Sequence, residues 1–262
     1  MATREEWRNL FETFDDPFCQ IIIAYAAGDA FGAYYEFLDA VVEVGHELRA
    51  KSGWPYGGVS DDTLLSLLTI SAMESADPGL QYLELLRANL DKLRGLGPTT
   101  RSALGLAVKA GERGEVGNTN GAIMRAALCG LGNFSRDSLT SVIKSTHQHP
   151  DAIYYALKMA DLFGGAPIPS ATKPDVAVGL DPAETFQAVV YVVSNSKSVN
   201  DAYEKACALG GDTDTVAALS GALYLARFGD EDFLNIHWLQ DVDWSEVASG
   251  IDIAVRILRR SA

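Results

Sequence analysis

The sequence has little of what marks secreted, membrane-spanning or disulfide-stapled proteins. It contains only 3 cysteines in 262 residues, and none of them forms a CxxC pair, so we expect reduced, buried thiols. The longest apolar run, around 21–27, is too short to span a bilayer and ends in Gly28-Asp29. The first twenty residues mix charged and apolar types without the apolar core of a signal peptide. These absences predict a cytoplasmic protein with no membrane partner.

Positive charge is also scarce. The chain has 21 Lys and Arg against 35 Asp and Glu, which gives a formal net charge of −14. Binding to a nucleic-acid backbone requires a basic face, so nucleic acid is not expected as the bulk partner. Such acidity can serve solubility alone, or part of it can be concentrated in a cation site. The motifs decide between these two readings.

Strand-like alternation is missing over any useful length, and helical periodicity covers most of the chain. The predicted helices are 4–14, 18–27, 63–76, 79–95, 100–112, 121–132, 136–147, 151–164, 182–195, 199–209, 215–228, 230–239 and 244–260. Ser135, Asp151, Asp181 and Asn200 stand at or next to expected N-caps. We therefore predict an all-α protein in which residues 1–262 form a single domain.

Two acidic motifs echo each other in sequence. GGVSDDT occupies 57–63 and GGDTDT occupies 210–215, and each directly precedes an apolar helical segment. Either motif alone can be explained as a helix cap, because Asp, Ser and Thr are preferred there and Gly-Gly ends the preceding element. A cap needs only one short polar side chain, however, and each loop supplies two carboxylates together with hydroxyls.

If the two motifs meet in space, their four aspartates would repel one another and their pKa values would rise unless cations neutralised them. Two divalent cations would balance the four negative charges. The all-oxygen ligand set suits hard ions such as Mg²⁺ or Mn²⁺, and the lack of His and Cys in both motifs argues against zinc. The paired motifs therefore predict a metal centre.

Three flanking segments are weaker signals. The segment 28–37 contains Glu36, which alone could be a solvated residue at a helix end. The Asn-Gly loop in 118–125 opens a helix and could offer backbone N–H groups to a phosphate. The turn 146–151 carries two histidines two residues apart, which is poor spacing for a helical metal pair.

Taken in chain order, GDAFGAYYEF, SDDT, NGAIMR, THQHP and GGDTDT resemble the ADP-ribosylglycohydrolase family, which includes the dinitrogen-reductase-activating glycohydrolase. The resemblance runs from about residue 20 to residue 226. It implies a single orthogonal all-α domain with a binuclear metal cleft holding two divalent cations, Mg²⁺ or Mn²⁺. The order of the GDxxG…E, SDDT and GGDTDT motifs is its most specific part.

The resemblance also implies roles for individual residues. The metal ligands would be Ser60, Asp61, Asp62, Asp212, Asp214 and Thr215. The catalytic carboxylates would be among Glu36, Asp61 and Asp62. The ADP-ribose-binding residues would be Gly117, Asn118, Thr119, Asn120, Gly121 and His147. The chain departs from many members at Thr119, where they have glycine, and at Leu128, where a proline is common.

The sequence therefore predicts a metal-dependent glycosidase that releases ADP-ribose from an ADP-ribosylated protein or small molecule. One of the three catalytic carboxylates would take a proton from the water that attacks the anomeric carbon. Two alternatives stay open at this point. The substrate could be a smaller ribosyl glycoside such as a nucleoside, or the chain could be a non-catalytic relative that serves as a binding or structural protein.

Overall fold

The architecture is helical throughout the part of the chain that the computed structural model describes, which is residues 4–38, 43–109, 111–112 and 114–262. The α-helices are α1 (Arg4–Arg8), α2 (Pro17–Gly32), α3 (Asp61–Ala72), α4 (Pro78–Ala88), α5 (Pro98–Ala103), α6 (Gly121–Ala127), α7 (Arg136–Lys144), α8 (Pro150–Phe163), α9 (Pro182–Asn195), α10 (Val199–Leu209), α11 (Thr213–Phe228) and α12 (Ala248–Ser261). Within this part, extended pairing is reduced to one isolated parallel bridge between Val178 and Gly211. The predicted all-α class is confirmed.

Helix starts follow the capping rules. The side chain of Ser135 accepts a hydrogen bond from the Ser138 amide at the start of α7. Asp181 caps α9 ahead of a proline in the first turn, where the missing proline N–H costs nothing. Both N-caps were predicted. The caps of α8 and α10 lie two residues earlier than Asp151 and Asn200, at His149 and Ser198.

Several predicted helices are shorter in the structure. The helix predicted over 79–95 ends at Ala88, and the one predicted over 100–112 is reduced to α5. The first ends where the backbone of Asn89 leaves the helical region, with φ −121° and ψ 15°. The second ends before Gly105, whose left-handed φ of 72° is a conformation that ends a helix. The segment 230–239 forms two short 3₁₀ turns. Apolar spacing alone does not distinguish such turns from a continuous α-helix.

The centre of the fold is the contact between α2 and α11. Helix α2 is buried on every side from Ile21 to Gly32, as expected of a helix that is apolar all round. Its two glycines face the backbone of α11. A Cβ at Gly28 would lie 2.6 Å from the Ala217 carbonyl oxygen, and one at Gly32 would lie 2.5 Å from the Asp214 Cα. Any side chain at these positions would push the two helices apart.

The other helices pack around this pair. Helix α10 lies on α11, where the Tyr203 ring would be 2.1 Å from a Cβ at Gly221. Helix α3 contacts α6 and α12. Buried apolar side chains from these helices form one continuous cluster. No helix in the described ranges combines the length and apolarity needed to cross a membrane.

Replacing Gly28 by alanine tests the close approach of α2 and α11. The added methyl would lie within 2.8 Å of three backbone atoms of α11, so the helices must separate, and we expect a loss of about 1–3 kcal/mol in the free energy of unfolding. Chemical denaturation measures it. Gly97→Ala is the matched control, because a Cβ there meets nothing within 4 Å and its φ of −67° suits alanine. Equal stability of the two variants would contradict the proposed packing.

Candidate metal centre and cleft

A cleft of about 510 Å³ opens between the ends of several helices. Both acidic motifs reach it. The acidic side chains that line it are Glu36, Asp61, Asp62, Glu112, Asp212 and Asp214, and the cationic ones are Arg101 and Lys109. Thr119, Asn120 and Gly121 line it from the loop before α6. The sequence motifs thus converge on one cavity.

Three carboxylates in the cleft converge closely enough to share a cation. One oxygen from each of Glu36, Asp212 and Asp214 lies within 4.8 Å of the other two. Asp61 and Asp62 line the same cleft but are not part of this trio. The structure therefore brings Glu36, one of the three predicted catalytic carboxylates, next to the two aspartates of the second motif. The ligand role of the first motif stays a prediction.

The first motif is held by a buried aspartate on α2. Asp29 is fully buried, and its carboxylate accepts hydrogen bonds from the Ser60 amide at 2.9 Å and the Thr63 amide at 3.1 Å. It also accepts from the Thr63 hydroxyl at 2.6 Å. These hydrogen bonds offset part of the cost of burial, although burial still raises the pKa of Asp29. Asp29 therefore fixes the start of α3 relative to α2.

The second motif is held by its glycines and by α2. Gly211 has φ +83°, and its backbone runs so close to Val178 that a Cβ would lie 1.9 Å from that carbonyl oxygen. The Asp212 amide donates to the same Val178 oxygen at 2.9 Å. The Thr213 hydroxyl donates to the Gly32 carbonyl at 2.8 Å. Only glycine permits this path, which delivers both aspartates of the motif to the cleft.

A direct contact joins the two motifs. The Thr215 hydroxyl donates to the Asp62 carboxylate at 2.6 Å. Capping does not account for these aspartates as a set, because Ser60 is the residue whose side chain caps α3 and Asp212 precedes α11 without a side-chain cap hydrogen bond. Asp214 does accept an amide hydrogen bond in the first turn of α11, from Thr215 at 2.9 Å. All four aspartates line the cleft.

Burial and the closeness of other carboxylates raise the pKa values of the four aspartates. Desolvation raises the pKa of Asp212 to about 6. It raises the pKa values of Asp61, Asp62 and Asp214 well above the usual range, and the neighbouring carboxylates add to the effect. Glu36 forms an ion pair with Lys51, whose ammonium group also lies 4.0 Å from the centre of the Trp54 ring. A cation bound at the cluster would remove the remaining repulsion.

The predicted ADP-ribose-binding residues divide into two groups. Thr119, Asn120 and Gly121 line the cleft. Gly117 is buried and Asn118 is half-buried, and neither lines it. His147 is fully buried, and its ring nitrogens contact other side chains of the protein. Contact between any of these residues and a substrate stays a prediction.

The surroundings of His147 form a continuous hydrogen-bonded chain. Arg125 donates to the Thr146 hydroxyl at 2.6 Å, and that hydroxyl lies 2.8 Å from His147 Nδ1. On the other side, His147 Nε2 lies 3.0 Å from the Thr119 hydroxyl, which donates to Thr99 at 2.9 Å. Burial and the nearby Arg125 hold the pKa of His147 well below its usual range. The imidazole is therefore neutral, and it braces Thr119 in the cleft wall.

Sequence reasoning missed several residues of the site. Asp29 lay within the GDAFG segment but had no assigned role, and Lys51 carries no local motif. Arg101 and Lys109 lay in a predicted helix. Their position in the cleft depends on which chain segments meet there, and the local spacing of residues does not predict it.

Comparison with known proteins shows which family the chain belongs to. Residues 12–177 and 170–261 match the family model for ADP-ribosylglycohydrolase, and together these overlapping segments cover almost the whole chain. The chain belongs to the ADP-ribosylglycohydrolase family. The family is one of hydrolases that cleave ADP-ribosyl linkages, and it is known for the use of divalent metals. The match is to the family and not to a particular activity within it, such as dinitrogen reductase activation.

A solved structure described as an ADP-ribosylglycohydrolase-related protein complex shares the fold. It superposes with a TM-score of 0.74 over 94% of this chain and 98% of that chain, at 23% sequence identity. At this identity the likeness concerns the fold. A comparison with curated proteins finds no match. The family assignment therefore rests on the family model and on the motifs.

The raised pKa values of the cleft predict how this ADP-ribosylglycohydrolase responds to pH without metal. Folded-state pKa values above the unfolded values stabilise the fold at low pH, and this stabilisation is lost as pH rises through the folded pKa. For Asp212 that window lies between 3.8 and about 6. Metal-free protein should therefore melt at a lower temperature at pH 8 than at pH 5 in calorimetry.

Asp212→Asn is the matched variant for this experiment, since it keeps the side-chain shape and removes one titrating group. It should raise the metal-free melting temperature at pH 8 and flatten the pH dependence. Saturating Mg²⁺ or Mn²⁺ should stabilise wild type more at pH 8 than at pH 5. A melting temperature of metal-free wild type that rises from pH 5 to pH 8 would contradict this account of the cleft.

Proposed function

We propose that the protein is a metal-dependent glycosidase that hydrolyses the ribosyl bond of an ADP-ribosylated protein or small molecule and releases ADP-ribose. The observation that carries the proposal is the convergence of Glu36, Asp212 and Asp214 within 4.8 Å in a cleft that also holds Asp61 and Asp62. A buried site with this much negative charge is unfavourable unless a cation joins it.

The chemistry of the donors supports two divalent cations, Mg²⁺ or Mn²⁺. The acidic cluster offers carboxylate oxygens alone, and threonine and serine hydroxyls adjoin them. Hard cations prefer such ligands. The residues proposed to hold them are Asp61, Asp62, Asp212, Asp214, Thr215 and Ser60, with Glu36 beside them. Bound divalent ions would supply Lewis acidity that makes water a better nucleophile.

The remaining chemistry belongs to the side chains of the cleft. A carboxylate among Glu36, Asp61 and Asp62 accepts the proton of the attacking water. Lys51 orients Glu36 through their ion pair. The negative field of the cleft stabilises the positive charge that develops on the ribose ring in the transition state.

The other end of the substrate is proposed to meet the cationic part of the cleft. Arg101 and Lys109 line the same cavity as the carboxylates, and positive side chains of this kind bind phosphates. A cavity of about 510 Å³ lies within the range usual for small-molecule sites. ADP-ribose, with a ribose at one end of a diphosphate, suits a cleft that has carboxylates for a metal-bound sugar and cations for phosphates.

Removal of the metal tests the first half of the proposal. Chelation should abolish hydrolysis of ADP-ribosylated peptides, and Mg²⁺ or Mn²⁺ should restore it better than Zn²⁺. Asp214→Asn should reduce kcat/KM by at least about 100-fold, because it removes a charged member of the cluster and leaves the shape intact. Asp137→Asn, on the exposed surface of α7, is the control and should match wild type. Full turnover in excess chelator, with no bound metal, would overturn the metal centre.

Ligand-induced stabilisation tests the second half. ADP-ribose should raise the melting temperature of metal-loaded protein in proportion to the logarithm of its concentration above the dissociation constant. Ribose 5-phosphate, which lacks the second phosphate and the adenosine, should raise it much less. Lys109→Met should raise the dissociation constant for ADP-ribose about tenfold. Lys92→Met, at an exposed position, is the control and should leave it unchanged.

Equal shifts with ADP-ribose and with ribose would count against the ADP-ribosyl substrate and in favour of a smaller ribosyl glycoside such as a nucleoside. Binding of ADP-ribose without hydrolysis of any ADP-ribosylated substrate would favour a non-catalytic binding protein. A panel of ADP-ribosylated peptides, ADP-ribose esters and nucleosides, assayed with and without Mg²⁺, separates these outcomes.

A further inference from the structure

Asn120 lines the cleft, but its side-chain amide is engaged inside the protein. It belongs to the Asn-Gly loop that was expected to bind ADP-ribose, yet it is only 4% exposed. Its side-chain amide nitrogen donates to the Asp212 carboxylate and, at 2.9 Å, to the Thr185 hydroxyl. Both hydrogens of the amide are therefore used within the protein.

The orientation of this amide is set by Thr185. The Thr185 hydroxyl donates its single hydrogen to the Asp181 carbonyl oxygen, 3.1 Å away in the preceding turn of α9. Its oxygen can then only accept from Asn120. The Asn120 side chain must therefore present its NH₂ group, and not its carbonyl oxygen, to Thr185 and to Asp212. The buried threonine thus selects the amide rotamer that donates to the carboxylate.

The backbone on both sides of Asn120 is fixed as well. The Asn120 amide donates to the Leu180 carbonyl at 2.9 Å, which ties the loop to the segment before α9. The preceding residue, Thr119, is braced by the buried and neutral His147. The loop segment that carries Asn120 is therefore fixed by two contacts, one to Leu180 and one to His147.

From these contacts we propose that Asn120, oriented by Thr185, is a positioning residue that fixes the Asp212 carboxylate for cation binding. The inference rests on the proposed function, because Asp212 is one of the proposed ligands. Groups that hydrogen-bond to metal ligands fix the orientation of those ligands and commonly change metal affinity by about 10- to 100-fold. The amide hydrogens of Asn120 then serve the metal centre and are not available to a substrate.

Direct measurement of Mn²⁺ binding by electron paramagnetic resonance tests the proposal without reference to turnover. Asn120→Ala should raise the Mn²⁺ dissociation constant by about 10- to 100-fold. Thr185→Val keeps the shape of the side chain and removes the acceptor, so it should weaken Mn²⁺ binding in the same direction but less. Thr185→Ser keeps the hydroxyl and should restore affinity close to wild type.

The double variant of Asn120→Ala with Thr185→Val should bind Mn²⁺ no more weakly than Asn120→Ala alone, because both changes act through one amide. Asn118→Ala lies on the same loop and serves as the control, with Mn²⁺ affinity expected to equal that of wild type. Circular dichroism melting of the metal-free variants establishes that each is folded. At saturating Mn²⁺, the affinity of Asn120→Ala for ADP-ribose should stay within about threefold of wild type.

The possible failures are distinguishable. If Asn120→Ala binds Mn²⁺ as wild type does but loses affinity for ADP-ribose, Asn120 is a substrate contact and the inference is overturned. If Thr185→Val and Thr185→Ser weaken Mn²⁺ binding equally, the orienting role of the hydroxyl is overturned. If wild-type protein itself binds no Mn²⁺ or Mg²⁺, the proposed function fails, and this inference fails with it.

Discussion

The site depends on the close packing of α2 against α11. Gly28 and Gly32 have no side chains to separate these helices, so the two backbones lie in close contact. This close contact lets two loops that are distant in sequence share one cleft. Asp29 binds the first loop through the Ser60 and Thr63 amides. The Gly32 carbonyl binds the second loop through Thr213. One buried helix thus sets the positions of both acidic motifs.

This arrangement concentrates negative charge where the protein is least able to solvate it. Apolar helices surround the carboxylates, and the pKa values of the aspartates rise because water is excluded. The surrounding helices supply rigidity that a surface loop would lack, since the two motifs lie directly before the buried helices α3 and α11. Tight packing holds these crowded groups in place. The cost in stability therefore comes from the same burial that gathers the carboxylates at the cleft.

Much of this could be predicted from the sequence. The helical class follows from apolar spacing, and the caps at Ser135 and Asp181 follow from short polar side chains before apolar segments. The echo between SDDT and GGDTDT indicated two loops of one site, and both loops line the cleft. Helix ends were less predictable where the backbone leaves the helix within an apolar pattern, as at Asn89 after α4 and at Gly105 after α5. There the pattern continues although the helix does not.

The sequence by itself determined the residue types of the site, because carboxylates paired with Gly-Gly before a helix are recognisable locally. Tertiary structure decided what each residue contacts. Asn120 shares a loop motif with Gly121, but its amide donates to Asp212, which is 92 positions away. The buried His147 contacts Thr119, and Glu36 joins Asp212 and Asp214. Contacts of this kind arise only when α2, α6 and α11 pack together, and the local spacing of a motif contains no information about that packing.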